Sequence, residues 1–166
     1  MKLIFIDIDG VLNNISDGTA YFNYDPASYG LSKTNMSMLR KILKATDAKL
    51  VLSTSWRKHP YDYSYMYDGK YYRSPLKKFI TSIGRKNFYL IDRCPHLKGC
   101  CKYLDILGFF YISGLDPATT KFAVLDDQVN QQLDKFGESF FKIDASTGLT
   151  AGVAESIILH LNIEEH

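Results

Sequence analysis

The sequence predicts an α/β fold with a mainly parallel central sheet. Three apolar runs, at residues 3–6, 50–52 and 122–125, each end at polar or acidic side chains, as buried parallel strands do beside a ligand site. Amphipathic helix patterns alternate with these runs, which favours βαβ units and parallel pairing. The 166 residues contain no internal repeat, linker or low-complexity tract, and this length suits one domain. We therefore expect a single domain over residues 1–166.

The first strand ends in two carboxylates. Asp7 and Asp9 follow the run 3–6 and leave an extended chain on the same side, while Ile8 points into the core. Gly10 allows a sharp turn and is expected to line the substrate site. Converging carboxylates repel each other, and a bound Mg²⁺ relieves the repulsion because it takes oxygen ligands and often bridges to phosphate. The alternative is a plain turn at a strand end, where Asp and Gly are common.

The next segment predicts a loop and then a return to the sheet. Residues 13–30 are rich in Asn, Asp, Gly and Ser and include aromatic residues, which is typical of a loop insert that acts as a lid. Ser32 is a suitable N-cap for a helix over about 33–45, whose apolar residues share one face. This helix leads back to a strand over about 49–53.

Residues 61–73 predict a tyrosine-rich hairpin flap. Six tyrosines surround the pair Asp68-Gly69, and their alternation before a two-residue turn is typical of a hairpin. These tyrosines could stack nucleic-acid bases beside neighbouring lysines and arginines. Equally, they could pack the hairpin or form a dimer contact.

The second half of the chain continues the alternation of helix and strand. Ser74, Pro75 and Gly84 mark the start and the end of a helix. The further elements expected are a strand over about 88–91, a helix from near Lys98 to Leu107 stopped by Gly108, a strand over about 139–143 and a helix from Thr150 to about 161.

Charge is distributed unevenly along the chain. The net charge is +2, but residues 57–102 contain 11 Lys or Arg against three Asp, a local excess of +8. A basic segment of this kind commonly marks a surface for polyanions, although a solvated charged face is the alternative.

Cysteine usage and hydropathy indicate a soluble, reduced protein. Cys94, Cys100 and Cys101 are odd in number and include an adjacent pair, so we expect free thiols. Their spacing around His96 matches no standard zinc site. No apolar run reaches the roughly 18 residues of a membrane span, and the apolar start is too short for a signal peptide. We expect a cytoplasmic protein with no membrane partner.

Four motifs together resemble a known family. They are Phe5-x-Asp7-x-Asp9-Gly10-Val11-Leu12-Asn13, Ser53-Thr54-Ser55-Trp56-Arg57, Asp126-Asp127 and Thr147-Gly148-Leu149-Thr150. They are similar to motifs of haloacid dehalogenase (HAD) superfamily phosphohydrolases, and most of all to the HAD domain of "Swiss army knife" RNA repair proteins. The resemblance implies a three-layer, Rossmann-like HAD fold. A large cap domain is not expected, because neither segment that could carry one looks long enough.

The resemblance also implies roles for individual residues. Asp7 is expected to be the nucleophile that forms an aspartyl-phosphate, and Asp9 the general acid and base. Ser53, with Thr54 as the second choice, is expected to hold a phosphoryl oxygen. Arg57 follows the strand that ends at Ser53, and by this position, independently of the resemblance, it is expected to pair with a substrate phosphate.

A metal site and a lysine complete the set that the resemblance implies. The ligands expected for Mg²⁺ are Asp7, Asp9 through its carbonyl, Asp127 and Asp126. Asp127 most resembles the direct ligand and Asp126 the residue that holds a metal-bound water or the lysine, although the two roles could be exchanged. Lys98 best matches the position of the family's lysine, with Arg93 and Lys102 as alternatives.

The function expected is that of a Mg²⁺-dependent phosphatase. Its substrate would be a phosphomonoester on a nucleic-acid end, because an open site admits large substrates, or on a nucleotide if the loop insert and the tyrosine flap close over the site. The alternatives are a phosphoprotein phosphatase, a phosphotransferase that uses the same residues, and a noncatalytic module of this fold that binds a phosphorylated ligand.

Overall fold

The structure is a computed structural model that describes residues 1–19, 30–55, 64–67, 70–73, 75–83, 90–128 and 130–163, with the side chains of all except 64–67, 70–73, 75–78 and 90–91. The strands are β1 (Lys2–Ile6), β2 (Lys49–Leu52), β3 (Ser64–Tyr67), β4 (Lys70–Arg73), β5 (Leu90–Arg93), β6 (Lys121–Asp126) and β7 (Phe140–Lys142). The helices are α1 (Lys33–Thr46), α2 (Pro75–Ile83), α3 (Lys102–Ser113) and α4 (Ala151–Asn162), with a 3-10 segment at Leu133–Ser139.

Five strands form one parallel sheet in the order β5-β2-β1-β6-β7. This confirms the α/β fold predicted from the sequence. The chain builds outward from β1 through β2 to β5, and then returns to the other side of β1 with β6. Ligand sites in open parallel sheets form where the winding direction reverses in this way, beyond the carboxyl ends of the strands.

Helices cover both faces of the sheet. In β1, Ile4 and Ile6 point to the face covered by α1, α2 and α4, whereas Leu3 and Phe5 pack against α3 on the other face. The buried face of α1 follows the helical spacing seen in the sequence, and Ser32 caps the helix by accepting a hydrogen bond from the Asn35 N–H. The result is a three-layer arrangement. None of the described helices has both the length and the apolar character needed to cross a bilayer.

The start of α3 differs from the prediction. The helix begins at Lys102 and not near Lys98. A turn occupies the intervening residues, because Gly99 has a φ of +79° and the Cys100 N–H donates to the Leu97 carbonyl at 3.0 Å. The left-handed backbone at Gly99 and the extended backbone of the N-cap Cys101, with a ψ of 165°, exclude helix at both residues, so α3 begins at Lys102.

The end of α3 also differs, since the helix continues through Gly108 to Ser113 instead of stopping at Leu107. A Cβ on Gly108 would lie 3.0 Å from Pro95 Cγ, so this glycine serves close packing against the preceding loop. The helix ends at Gly114, which has a φ of +68°.

A separate antiparallel hairpin stands at the tyrosine-rich segment. β3 pairs with β4, and Tyr67 lies opposite Lys70. Outside the described residues are Asp68-Gly69, Trp56, Arg57 and residues 20–29 of the predicted loop insert. The role of the hairpin as a flap and the single-domain organisation stay predictions.

Candidate active site

Three aspartates meet at the carboxyl edge of the sheet. Asp7 follows β1, while Asp126 ends the neighbouring strand β6 and Asp127 follows it. The Asp7 N–H donates to the Leu125 carbonyl at 3.0 Å, so the ladder between the two strands continues into the site. Each aspartate offers a carboxylate oxygen, and these oxygens all lie within 4.8 Å of one another. Asp7 and Asp126 are buried, which makes their repulsion costly.

Lys102 places a positive charge between two of these carboxylates. Its ammonium donates to Asp7 Oδ2 and, at 2.6 Å, to Asp126 Oδ2. Burial by itself would lower the pKa of Lys102, but the Asp7 and Asp126 carboxylates outweigh burial and leave this pKa raised. The ammonium therefore stays charged at neutral pH.

The lysine at the carboxylates is Lys102 and not Lys98, the residue that the family resemblance favours. Lys98 is exposed in the turn before α3, whereas Lys102 is the first residue of the helix. Gln131 holds this helix start, because its Oε1 accepts from the Lys102 N–H at 3.2 Å and its carbonyl from the Tyr103 N–H at 3.3 Å. No local sequence pattern links Gln131 to this helix start, because it lies 29 residues from Lys102 along the chain.

The paired aspartates carry more negative charge than Lys102 neutralises. Burial and then the Asp7 charge raise the pKa of Asp126 to about 6, against the opposing effect of Lys102. Burial first and the Asp7 charge second also raise the pKa of Asp127. A further cation would relieve both carboxyls.

Asp127 has an oxygen suited to such a cation. Its Oδ1 is buried and has no hydrogen-bond partner among the described residues. Asp126 instead uses Oδ1 to accept from the Gln128 N–H at 2.9 Å and Oδ2 to accept from Lys102. An all-oxygen donor set fits a hard cation such as Mg²⁺. In the described part of the chain, no cysteine belongs to a cluster of potential metal ligands.

Replacing Gly10 with alanine should displace Asp127. Gly10 has a φ of +73°, and a Cβ there would lie 2.5 Å from Asp127 Oδ2. We expect a loss of unfolding free energy larger than the about 1 to 2 kcal/mol that left-handed backbone costs an ordinary residue. Gly114→Ala is the matched control, since Gly114 has a φ of +68° with nothing described within 4 Å of the added Cβ. Equal losses in chemical denaturation of both variants would contradict the contact with Asp127.

Asp9 lines a cavity together with the buried carboxylates. The cavity measures about 220 Å³ and is lined by Asp7, Asp9, Ser55, His96, Cys100, Lys102, Asp105, Gln128 and Gln131. Asp9 is partly exposed, and its Oδ1 accepts a hydrogen bond from Asn13 Nδ2 at 2.9 Å. A buried carboxylate, an ammonium and a second, more accessible carboxyl at one cavity are the groups needed for phosphoryl transfer followed by proton transfer.

The hydroxyl-bearing residues after β2 divide between core and cavity. Ser53 and Thr54 are buried, and the Ser53 N–H donates to the Ile6 carbonyl at 3.0 Å, which ties the segment to β1. Ser55, which the sequence analysis did not select, is exposed and lines the cavity. The signal for Ser55 in the sequence is that it belongs to the same motif as Ser53 and Thr54.

The fold and the aspartate site agree with one protein family. A family model described as "HAD domain in Swiss Army Knife RNA repair proteins" matches residues 3–154. The chain belongs to this family. The matched range of the HAD domain includes the aspartate cluster and Lys102, so the resemblance seen in the sequence is confirmed. Membership implies phosphohydrolase-type activity. Comparison with curated proteins and with solved structures gave no match.

Proposed function

We propose that this HAD domain is a Mg²⁺-dependent phosphatase that hydrolyses a phosphomonoester through an aspartyl-phosphate on Asp7. The observation that carries the proposal is the buried Asp7 carboxylate, held against Lys102 beside the paired aspartates at a polar cavity. Asp7 Oδ1 accepts from the Ile8 N–H at 2.7 Å and Oδ2 accepts from Lys102, so the carboxylate has a defined orientation. Orientation of this kind lowers the entropic part of the barrier to attack.

Two steps follow from this arrangement. In the first, an Asp7 oxygen attacks phosphorus, the bond to the leaving oxygen breaks, and Asp9 gives that oxygen a proton. In the second, Asp9 takes a proton from water, the water oxygen attacks phosphorus, and phosphate departs with regeneration of the Asp7 carboxylate. Lys102 stabilises the negative charge that phosphate adds beside Asp7 and Asp126.

Mg²⁺ would be held by Asp7, Asp127 and the Asp9 carbonyl, with Asp126 supporting the site through Lys102. When bound, the ion supplies positive charge that neutralises phosphoryl oxygens in the transition state. Asp127 Oδ1, which is buried and finds no hydrogen-bond partner in the described part of the chain, supports this assignment.

A phosphorylated nucleic-acid end is the substrate class that we propose. The matching family is described by its occurrence in RNA repair proteins. The segment 57–102 carries a local charge of +8, which favours a polyanion. A second cavity of about 490 Å³, lined by residues that include Arg93 and His96, adjoins the first, because His96 lines both. The two cavities together leave room for more than a phosphate.

Phosphate release from a panel of substrates tests this proposal. The panel comprises 3′- and 5′-phosphorylated RNA and DNA oligonucleotides, mononucleotides, a phosphopeptide and an aryl phosphate, each with and without Mg²⁺. Preference for an oligonucleotide end would support the proposed substrate. Turnover of the small phosphates alone would keep the phosphatase chemistry and discard the nucleic-acid end. Preference for the phosphopeptide would favour a phosphoprotein phosphatase, and no release from any substrate would favour a noncatalytic binding role.

Mg²⁺ should stabilise the fold more at neutral than at acidic pH. The pKa of Asp126 is about 6 in the folded protein against 3.8 as the ordinary value, so the folded state binds the proton more tightly. Protonation of Asp126 therefore stabilises the folded protein fully below about pH 3.8, and this stabilisation is lost as the pH rises through about 6. A Mg²⁺ held by the neighbouring Asp7 and Asp127 would compensate the negative charge left when this proton is lost, and we expect about 2.7 kcal/mol of stabilisation when its concentration is about 100 times its Kd.

Thermal unfolding at about pH 5 and about pH 7.5, with and without Mg²⁺, measures this effect. The increase in Tm on adding Mg²⁺ should be larger at the higher pH and should shrink in Asp127→Asn. An increase that is the same at both pH values, or is unchanged in the variant, would argue against a metal at these carboxylates.

A further inference from the structure

Asn13 is a buried polar residue to which the proposed mechanism gives no role. Only 1% of its surface is exposed. Its side chain uses both ends, since Nδ2 donates to Asp9 Oδ1 at 2.9 Å and Oδ1 accepts from the Gly10 N–H at 2.8 Å. A buried amide with both ends paired has one fixed orientation.

The backbone around Asn13 is also fixed. A tight turn after β1 brings it back over Asp9, because the N–H groups of residues 11, 12 and 13 all donate to the Ile8 carbonyl, at 3.2, 2.8 and 3.3 Å. The Leu12 carbonyl accepts from the Ser32 N–H at 2.8 Å, which anchors the turn to the start of α1. These backbone hydrogen bonds therefore fix the position of the Asn13 side-chain amide next to Asp9.

The late part of the chain holds the same turn from another side. The Val11 carbonyl accepts from the Leu149 N–H at 2.9 Å and from Asn35 Nδ2 at 3.3 Å. Gly148 packs so closely here that a Cβ would lie 1.9 Å from Asn35 Nδ2. The distant motif that contains Gly148 and Leu149 thus braces the turn that carries Asn13.

We propose that Asn13 is the positioning residue of Asp9. Its amide holds the partly exposed Asp9 carboxylate in one orientation at the cavity, so that the carboxyl can give a proton to the leaving oxygen and later take one from water. The inference rests on the proposed function, in which Asp9 is the acid and base. It predicts that loss of the amide harms proton transfer while the attack by Asp7 is preserved.

The leaving group separates these two effects. A dinitrophenolate departs without help from an acid, whereas an alkoxide needs a proton. In Asn13→Ala we expect kcat/KM for an alkyl phosphate to fall about 10- to 100-fold, a part of the about 10²- to 10⁴-fold that general acid catalysis supplies. For dinitrophenyl phosphate, kcat/KM should stay within about threefold, while kcat falls because water attack still needs Asp9 as base.

Two further variants make the test specific. Asn13→Leu fills a similar volume but has no donor for Asp9 and adds no charge, so it should behave like Asn13→Ala even if the latter folds poorly. Asn14→Ala is the matched control: Asn14 is also buried, but its side chain accepts from the Asp17 N–H at 2.9 Å within the loop. It should leave the ratio of the two kcat/KM values unchanged.

The assay uses the full chain with Mg²⁺, the alkyl phosphate that the unaltered protein turns over best, and circular dichroism as a check on folding. Equal losses on both substrates in Asn13→Leu, or no loss on either, would overturn the positioning role and leave the phosphatase proposal intact. An unaltered protein that releases phosphate from neither substrate would overturn the phosphatase proposal and this inference with it.

Discussion

Replacing Asp7 with asparagine should abolish turnover while the protein stays folded. The amide lacks the negative charge needed to attack phosphorus, so we expect kcat to fall by about 10³-fold or more. The fold should survive with a partial loss of stability, because Lys102 loses one carboxylate but keeps Asp126, and an amide oxygen can still accept from the Ile8 N–H, as Asp7 Oδ1 does at 2.7 Å. The change also removes one of the carboxylates that crowd the buried cluster.

Steady-state phosphate release and thermal unfolding, measured on the same preparation, check this result. Asp47→Asn is the matched control. Asp47 caps the end of α1 with a φ of +52°, a conformation that asparagine tolerates, and its side chain is 86% exposed. The control should retain full activity. Residual turnover above about 10% in Asp7→Asn would mean that another group attacks phosphorus, and the proposed mechanism would be wrong.

Replacing Lys102 with methionine should cost at least about 100-fold in kcat, comparable with the loss of one preorganised donor from a charge-stabilising site. Methionine fills a similar volume but leaves Asp7 and Asp126 without the ammonium that contacts both. Binding of a phosphate dianion beside two uncompensated carboxylates then becomes unfavourable. The loss should affect both kcat and KM.

Stability should fall in the same variant. Breaking a buried ion pair by removing one partner costs about 3 to 5 kcal/mol, because the remaining charge stays buried. Chemical denaturation without Mg²⁺ should show this loss most clearly, and added Mg²⁺ should recover part of it by neutralising the carboxylates.

Lys98→Met is the control that decides between the two lysines. Lys98 is exposed, so its replacement should change kcat by less than about threefold and leave stability within about 0.5 kcal/mol. If Lys98→Met lost activity and Lys102→Met kept it, the lysine favoured by the family pattern would be the functional one. The contact of Lys102 with Asp7 and Asp126 would then be structural only.

The elements recovered from the sequence are those whose signals are local. The apolar run before Asp7 predicted β1, because a buried parallel strand must be apolar on both faces. Ser32 and the apolar spacing that follows predicted α1 to within a residue at its end. Both signals depend on neighbours in the chain, and no distant contact competes with them.

The errors at α3 have a tertiary cause. A glycine near the end of a helix pattern can mark a stop, but Gly108 lies within α3 and there allows close packing against Pro95. The turn at Gly99 delays the helix start to Lys102. Neither the packing partner nor the sign of φ can be read from the residues themselves.

The sequence by itself determined that this chain has an α/β fold with carboxylates at its strand ends, since strand polarity and side-chain alternation follow from local pattern. It also carried the motifs of the HAD family. Only the tertiary structure decided which lysine contacts the carboxylates, that Asp127 Oδ1 has no hydrogen-bond partner among the described residues, and that Asn13 donates a hydrogen bond to Asp9. Those relations depend on where separate segments meet to within an ångström, and hydrogen-bond and ion-pair strengths fall steeply over that distance.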